Sequence, residues 1–277
     1  RELVSVGYAD RISRWSLETG QEISRIGEGL EGASALAVDI TADGTLLATG
    51  GTAEDRTVRL WSATTQEMRE LGRHESYLGN VAFNPGGNRL ASGSNDDTVQ
   101  VWDVASGEAV MSFKGDVPGR QQSFHSLYWL DGDTLAAAGS DAIYRWDVPT
   151  GKLQARIARP EDVALLTDVA FSRDGTGVAA AAQDDAVYFW EPEAGKWVVW
   201  PAPEGTTVAN VEFSPDDQLL AATTFEGDML LWSVEAAELL ASYQVTTGSI
   251  AAVRFSPDGR SIAVGGWDSP IWLWGIP

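Results

Sequence analysis

Three pairs of adjacent carboxylates, Asp96-Asp97, Asp184-Asp185 and Asp216-Asp217, are the residues whose type and spacing first suggest chemistry. Two carboxylates side by side serve general acid and base catalysis or calcium binding. Each pair, however, sits in a short polar segment between alternating apolar runs, where Asp bonds the local backbone, so all three read as turn residues. Carboxylates from separate segments could still converge on a common axis. Gly27-Glu28-Gly29-Leu30-Glu31-Gly32 matches G-x-G-x-x-G. A dinucleotide site needs that loop to open a helix, and here it leads into a strand-like run at 35–39 beside two glutamates that repel phosphate, so it reads as a connection. The two histidines, His74 and His125, lie between apolar runs, with no cysteine and no H-E-x-x-H pattern to build a zinc site and no G-x-S-x-G elbow. We therefore assign no catalytic residue, no metal ligand and no cofactor from the sequence.

The elements that position these residues follow from one spacing. Trp15, Trp61, Trp102, Trp146, Trp190, Trp232 and Trp274 recur at intervals of 46, 41, 44, 44, 42 and 42 residues, each closing a short alternating segment. A period of roughly 40 to 45 residues built of short strands is the signature of a β-propeller, because one four-stranded blade buries its faces only by stacking on its neighbours. The sixth repeat shows the pattern most clearly, with strands at 208–213, 219–223, 229–232 and 238–243. Its first turn, Ser214-Pro215-Asp216-Asp217, recurs as Asn84-Pro85-Gly86-Gly87, Ser172-Arg173-Asp174-Gly175 and Ser256-Pro257-Asp258-Gly259, with residues that suit tight hairpins. The second strand is rich in small side chains, as in Leu90-Ala91-Ser92-Gly93 and Val178-Ala179-Ala180-Ala181, and permits close approach of neighbouring blades. Trp129, Trp197, Trp200 and Trp272 fall on strands and read as packing between blades.

The expected fold is all-β: a seven-bladed β-propeller of four-stranded antiparallel blades, forming one domain over residues 1–277, with ring closure incomplete within this chain. The first repeat begins at its second strand, near 3–6, and the last stops after its third, near 271–274. We expect the missing strands to come from an N-terminal extension of a longer polypeptide or from another chain.

The formal charge is −21, from 19 basic and 40 acidic residues spread along the 277-residue chain. Such a field repels phosphate backbones and anionic lipid, so nucleic acid and membrane are not expected partners; it favours a basic peptide or protein, or serves solubility alone. No run approaches the roughly 18 to 20 apolar residues needed to span a bilayer as a helix. With zero cysteines and no apolar leader, a cytoplasmic setting is expected.

The third repeat, with Phe83-Asn84-Pro85-Gly86-Gly87, Leu90-Ala91-Ser92-Gly93-Ser94, Asp96 and Thr98-Val99-Gln100-Val101-Trp102-Asp103, resembles the WD40 repeat family, in its divergent bacterial form. The resemblance implies a structural hydrogen-bond tetrad of His74, Ser92, Asp96 and Trp102, complete only in this repeat. The turn Asp has counterparts in Asp55, Asp184 and Asp268, with Glu226 in the sixth repeat and Asp10 and Asp141 in the shorter turns of the first and fourth. The resemblance further implies that the loops joining one repeat to the next, and the second strand to the third, share a binding face. On it we place Tyr8, Arg56, Arg73, Tyr77, Arg120, Gln122, His125, Phe225 and Trp267 as candidate partner contacts, since aromatic and Arg side chains dominate interface energetics. The leading functional expectation is a non-enzymatic scaffold binding a protein or peptide. Thr150-Gly151-Lys152 and Ala194-Gly195-Lys196-Trp197 loosely resemble the repeats of quinoprotein propellers, an enzymatic alternative, and strand addition at the incomplete blade would make an oligomerisation scaffold.

Overall fold

Alternating apolar side chains and short turns fold the strands within each sheet into successive hairpins among the described residues. In the computed structural model, which describes residues 2–7, 12–27, 35–115, 123–160, 163, 165–266 and 270–276, they form antiparallel sheets in which consecutive strands pair. The chain is a seven-bladed β-propeller by fold class, five sheets having four strands and two having three. It divides into two compact units, Arg1–Gly139 with Ile143–Ile157, and Ser140–Ala142 with Ala158–Pro277.

The first unit holds four sheets. The first comprises β1 (Glu2–Val6), β2 (Ile12–Ser16) and β3 (Glu22–Ile26), and the second β4 (Ala35–Ile40), β5 (Leu46–Gly51), β6 (Thr57–Ser62) and β7 (Met68–Arg73). The third comprises β8 (Leu78–Phe83), β9 (Arg89–Ser94), β10 (Thr98–Asp103) and β11 (Ala109–Lys114). The fourth is β12 (Ser126–Trp129), β13 (Thr134–Ala138), β14 (Ala142–Asp147) and β15 (Lys152–Ala158). Cores lie between successive sheets. Leu78, Val81, Phe83, Leu90 and Trp102 of the third pack on Ala37, Ala48, Val58 and Leu60 of the second. Trp129 is buried, as its strand position implied, and its Nε1–H donates to the Ala82 carbonyl of the third sheet at 3.0 Å.

The second unit holds β16 (Asp168–Phe171), β17 (Val178–Ala181), β18 (Ala186–Glu191) and β19 (Lys196–Pro201) as its first sheet. Its second is β20 (Val208–Phe213), β21 (Leu219–Thr224), β22 (Asp228–Ser233) and β23 (Glu238–Gln244), and its last β24 (Ile250–Phe255), β25 (Ser261–Gly266) and β26 (Ile271–Gly275). Trp200 is buried and stacks on Phe189 at 4.8 Å, in a core shared with Val211, Phe213 and Leu220 of the next sheet.

The small side chains of the second strands are required by packing. A Cβ on Gly93 would lie 2.8 Å from the Phe124 carbonyl oxygen, and one on Gly50 would lie 2.9 Å from Cβ of Leu78. The run Val178–Ala181 is wholly buried, so tertiary contact overrides the helical propensity of alanine.

The first hairpin turn is built the same way in four repeats. The Ser or Thr hydroxyl donates to the Asp carboxylate two residues on: Thr41 to Asp43 at 2.6 Å, Ser172 to Asp174 at 2.7 Å, Ser214 to Asp216 at 2.6 Å and Ser256 to Asp258 at 2.6 Å. The fourth turn residue takes a left-handed φ, which glycine supplies at Gly175 (70°) and Gly259 (70°) and Asp217 supplies at 59°. Asp217 also accepts the Arg173 N–H of the neighbouring turn at 2.9 Å, so the Asp216-Asp217 pair is used in turn architecture.

The innermost strand of each sheet has one edge without a ladder partner, and its N–H groups need other acceptors. Carboxylates from the preceding sheet supply them. Asp39 accepts from Phe83 N at 2.7 Å, Asp168 from Val211 N at 3.0 Å and Glu212 from Phe255 N at 3.3 Å.

Candidate functional site

The four residues of the expected tetrad meet in the third sheet. Trp102, on β10, donates its Nε1–H to Ser92 Oγ, on β9, at 2.9 Å. Ser92 Oγ lies 2.8 Å from His74 Nε2, and His74 Nδ1 lies 3.0 Å from Asp96 Oδ2. The indole nitrogen only donates, so Ser92 accepts from it, and the ionised Asp96 only accepts, so with a neutral ring Ser92 gives its proton to His74 Nε2. The imidazole proton then sits on Nδ1 and points at the carboxylate. Asp96 also accepts from the Thr98 hydroxyl at 2.6 Å, Thr98 N at 3.0 Å and Glu75 N at 2.8 Å. Burial alone would raise the Asp96 pKa, but the bonds from His74, Thr98 and Glu75 outweigh it and hold the carboxyl well below the usual carboxylate range.

A Ser–His–Asp chain with these distances is also the arrangement of a hydrolytic triad. Access decides against that use. Ser92 has 0% exposure and His74 3%, so no substrate carbonyl reaches Oγ in this conformation, and the Ser oxygen is already an acceptor for Trp102. The chemistry available to the set is cohesion: it ties the segment before β8 to β9 and β10.

Parts of the network recur with different donors. Trp61 bonds Thr49 Oγ1 at 2.9 Å and Trp15 bonds Ser5 Oγ at 2.8 Å, so the indole–hydroxyl link persists in the first two sheets. The turn carboxylate is kept in others, but its partner changes. Asp55 is held by Arg59, which places both Nη1 and Nη2 on it. Arg59 Nη2 also reaches Glu70 at 3.2 Å. The bond to Asp55 raises the Arg59 pKa against the opposing effect of burial. Asp184 accepts the Tyr188 hydroxyl at 2.7 Å, and Glu226 accepts Thr207 N at 2.7 Å. Arg59 and Tyr188 were missed in the sequence. The signal was there: both stand two residues before the repeat Trp and four after the turn acid, on the strand face that carries both.

Of the expected partner contacts, Arg56, Arg73 and Tyr77 come together at one edge of the second and third sheets. Arg56 Nη1 donates to the Glu75 carbonyl at 2.9 Å, Arg73 Nη2 to the Asp55 carbonyl at 2.8 Å, and Tyr77 is 38% exposed. His125 is half-buried near the start of β12, its Nδ1 2.9 Å from the Ser123 carbonyl. Phe225 is 41% exposed in the loop after β21, in the second unit. Tyr8, Arg120, Gln122 and Trp267 lie outside the described residues, as do Asp10 and Asp268. Lys114 was overlooked: it pairs with Thr98 as Arg73 pairs with Thr57, twelve residues after its repeat Trp.

Among the described residues, no group of three or more His, Cys, Asp or Glu side chains is placed to hold a metal ion. No helix among them is long and apolar enough to cross a membrane.

Comparison with known proteins places this geometry. The chain is 31% identical over 150 residues to the small ribosomal subunit protein RACK1y of Oryza sativa subsp. japonica, covering 50% of this chain and 41% of that protein. It is 27% identical over 192 residues to the target of rapamycin complex subunit LST8 of Saccharomyces cerevisiae (68% and 60%), and 24% identical over 186 residues to a guanine nucleotide-binding protein subunit beta of Arabidopsis thaliana (64% and 49%). The chain thus spans between about two fifths and three fifths of the length of these relatives. The family model described as WD domain, G-beta repeat matches residues 28–62, 65–103, 158–191 and 237–274, together more than half of the chain. With the Trp102–Ser92–His74–Asp96 network and the repeated four-stranded sheets, this establishes that the chain belongs to the WD40 repeat family.

Proposed function

We propose that this chain is a non-catalytic interaction module that binds a protein or peptide on the loop edge of its sheets. The observation that carries the reading is the exposure of Tyr77 and Phe225, bulky side chains that stand out from their loops at 38% and 41% rather than folding inward. Arg56 and Arg73 flank Tyr77, and aromatic and Arg groups in such settings are the usual anchors of interfaces. The Ser92, His74 and Asp96 groups that share the geometry of a hydrolytic triad are committed to one another in buried bonds. Relatives named as subunits of larger assemblies support a scaffold role. The net charge of −21 favours a partner of basic net charge through long-range attraction. Tyr8, Arg120, Gln122, His125 and Trp267 are further candidate contacts by their place in the repeat sequence.

The test is selection of a displayed random peptide library, about 12 residues long, on the immobilised chain. Enriched peptides should bind wild type, and they should be weakened by at least about 1 kcal/mol by Tyr77→Ala, in the first unit, or by Phe225→Ala, in the second, with melting unchanged. Enrichment insensitive to both substitutions would move the site elsewhere.

A further inference from the structure

Three cations stand at the loop edge of the second and third sheets, among the acids Glu54, Asp55, Glu75, Asp96 and Asp97. Arg73 ends β7 and Lys114 ends β11 at equivalent register, opposite Thr57 and Thr98. Arg56 lies one residue beyond Thr57 on the same edge, its carbonyl accepting the His74 N–H at 3.0 Å. Among the described residues none of these three cations makes an ion pair. Arg56 and Arg73 each spend one Nη on a carbonyl, which fixes the guanidinium and leaves the remaining donors uncommitted.

Two carboxylates of this edge are already engaged. Asp55 is taken by Arg59, and Asp96 by His74, Thr98 and the Glu75 N–H. Glu54, which accepts the Thr52 hydroxyl at 3.1 Å, and Glu75 are both exposed, and Asp97 is half-buried beside Asp96. Guanidinium groups pre-set by backbone bonds lose less freedom on meeting a carboxylate, and they match its two oxygens.

We propose that Arg56, Arg73 and Lys114 form a cationic strip that takes an Asp or Glu side chain of a bound peptide, with Tyr77 covering the neighbouring aliphatic part. This rests on the reading of the loop edge as the binding surface and adds the chemistry of its contact. The two charge effects act at different ranges: the acidic field as a whole attracts a basic partner, and the strip selects one acidic side chain within it.

The same peptide library, unmodified and therefore free of phosphate, is selected in parallel on three proteins. These are wild type, the triple variant Arg56→Gln, Arg73→Gln, Lys114→Gln, and a control with the same charge change at remote sites, Lys152→Gln, Lys196→Gln, Arg260→Gln. Wild type and control should enrich Asp or Glu at one fixed position about fivefold, and the strip variant should lose that preference. An acidic peptide from the wild-type pool should bind Lys114→Gln alone about threefold more weakly, which keeps the test open if the triple variant does not fold, and Glu75→Gln about twofold more tightly. Peptides enriched without an acidic position, or an acidic preference retained by a folded strip variant, would overturn the strip and leave the binding surface standing. Enrichment of no peptide at all would overturn both.

Discussion

Arg59 reaches back four residues to lay both Nη atoms on the carboxylate of Asp55, doing within one sheet what His74 does for Asp96 from a different loop. Both residues of the pair are buried, Asp55 at 7% and Arg59 at 8% exposure. Removing one partner leaves the other charge uncompensated. Arg59→Ala should therefore cost about 3–5 kcal/mol in urea unfolding, whereas the apolar pair Asp55→Leu, Arg59→Met should recover most of that loss. A single-variant cost under about 1 kcal/mol would show that the bond contributes little.

Ser92 is the junction of the tetrad, accepting from Trp102 and donating to His74. Ser92→Ala leaves an indole N–H and an imidazole nitrogen without partners at a site with no exposed surface. We expect a loss of about 1–3 kcal/mol, with Trp102→Phe less costly because it removes a donor instead of stranding one. Denaturant midpoints of the two variants, compared at constant m-value, decide the order.

The depressed pKa of Asp96 has a defined acid consequence. Its stabilising contribution is complete above the ordinary aspartate value of 3.8 and declines as pH falls below it toward the folded-state value. Wild type should lose stability down that limb, and Asp96→Asn, less stable at neutral pH, should show a shallower decline. Parallel acid limbs would refute the assignment.

Glu212 behaves in the opposite sense. Burial pushes its pKa up to about 7, with Arg254 at 3.4 Å and the Phe255 N–H opposing, and the charge of Asp168 adding to the rise. The stabilising contribution of the protonated acid is complete below the ordinary value of 4.5 and is lost as pH rises through about 7. Glu212→Gln should match wild type near pH 4.5 and exceed it by about 1–3 kcal/mol near pH 8. Thermal melts across that range test the divergence, and curves that stay parallel would contradict it.

Gly93 faces the Phe124 carbonyl so closely that a methyl group would sit 2.8 Å from its oxygen. Gly93→Ala should cost about 1–3 kcal/mol by forcing the third and fourth sheets apart, although alanine is otherwise well tolerated in the second strand. Calorimetric melting measures the shift.

The seven repeat tryptophans and the S/T-x-D turns made the sheets legible, because each reports a local requirement: a strand of period two, and a four-residue reversal with a left-handed last residue. Both three-stranded sheets were also legible, from strands counted near 3–6 and 271–274, which the structure places at Glu2–Val6 and Ile271–Gly275. The tetrad was implied by the WD40 resemblance of the third repeat, the one repeat in which all four of its residue types are retained. Arg59 and Tyr188 escaped notice because the partner of a turn acid is chosen by which side chain shares its strand face, and an Arg or Tyr in a strand otherwise looks like surface. The carboxylates Asp39, Asp168 and Glu212 escaped it for a similar reason: their acceptor role depends on the next sheet, some 43 residues away. Lys114 stands at the same distance after its repeat Trp as Arg73, but the residue type differs between the repeats, so the equivalence went unread until the strand pairing showed it.

Hydrogen exchange on the chain with and without a peptide selected from the random library tests the central claim most directly. The account predicts slowed exchange at 52–56 and 73–77 on binding, with the hairpin turns at 84–88 and 214–217 unchanged. Protection confined to those turns, with the loop edge unaffected, would contradict it.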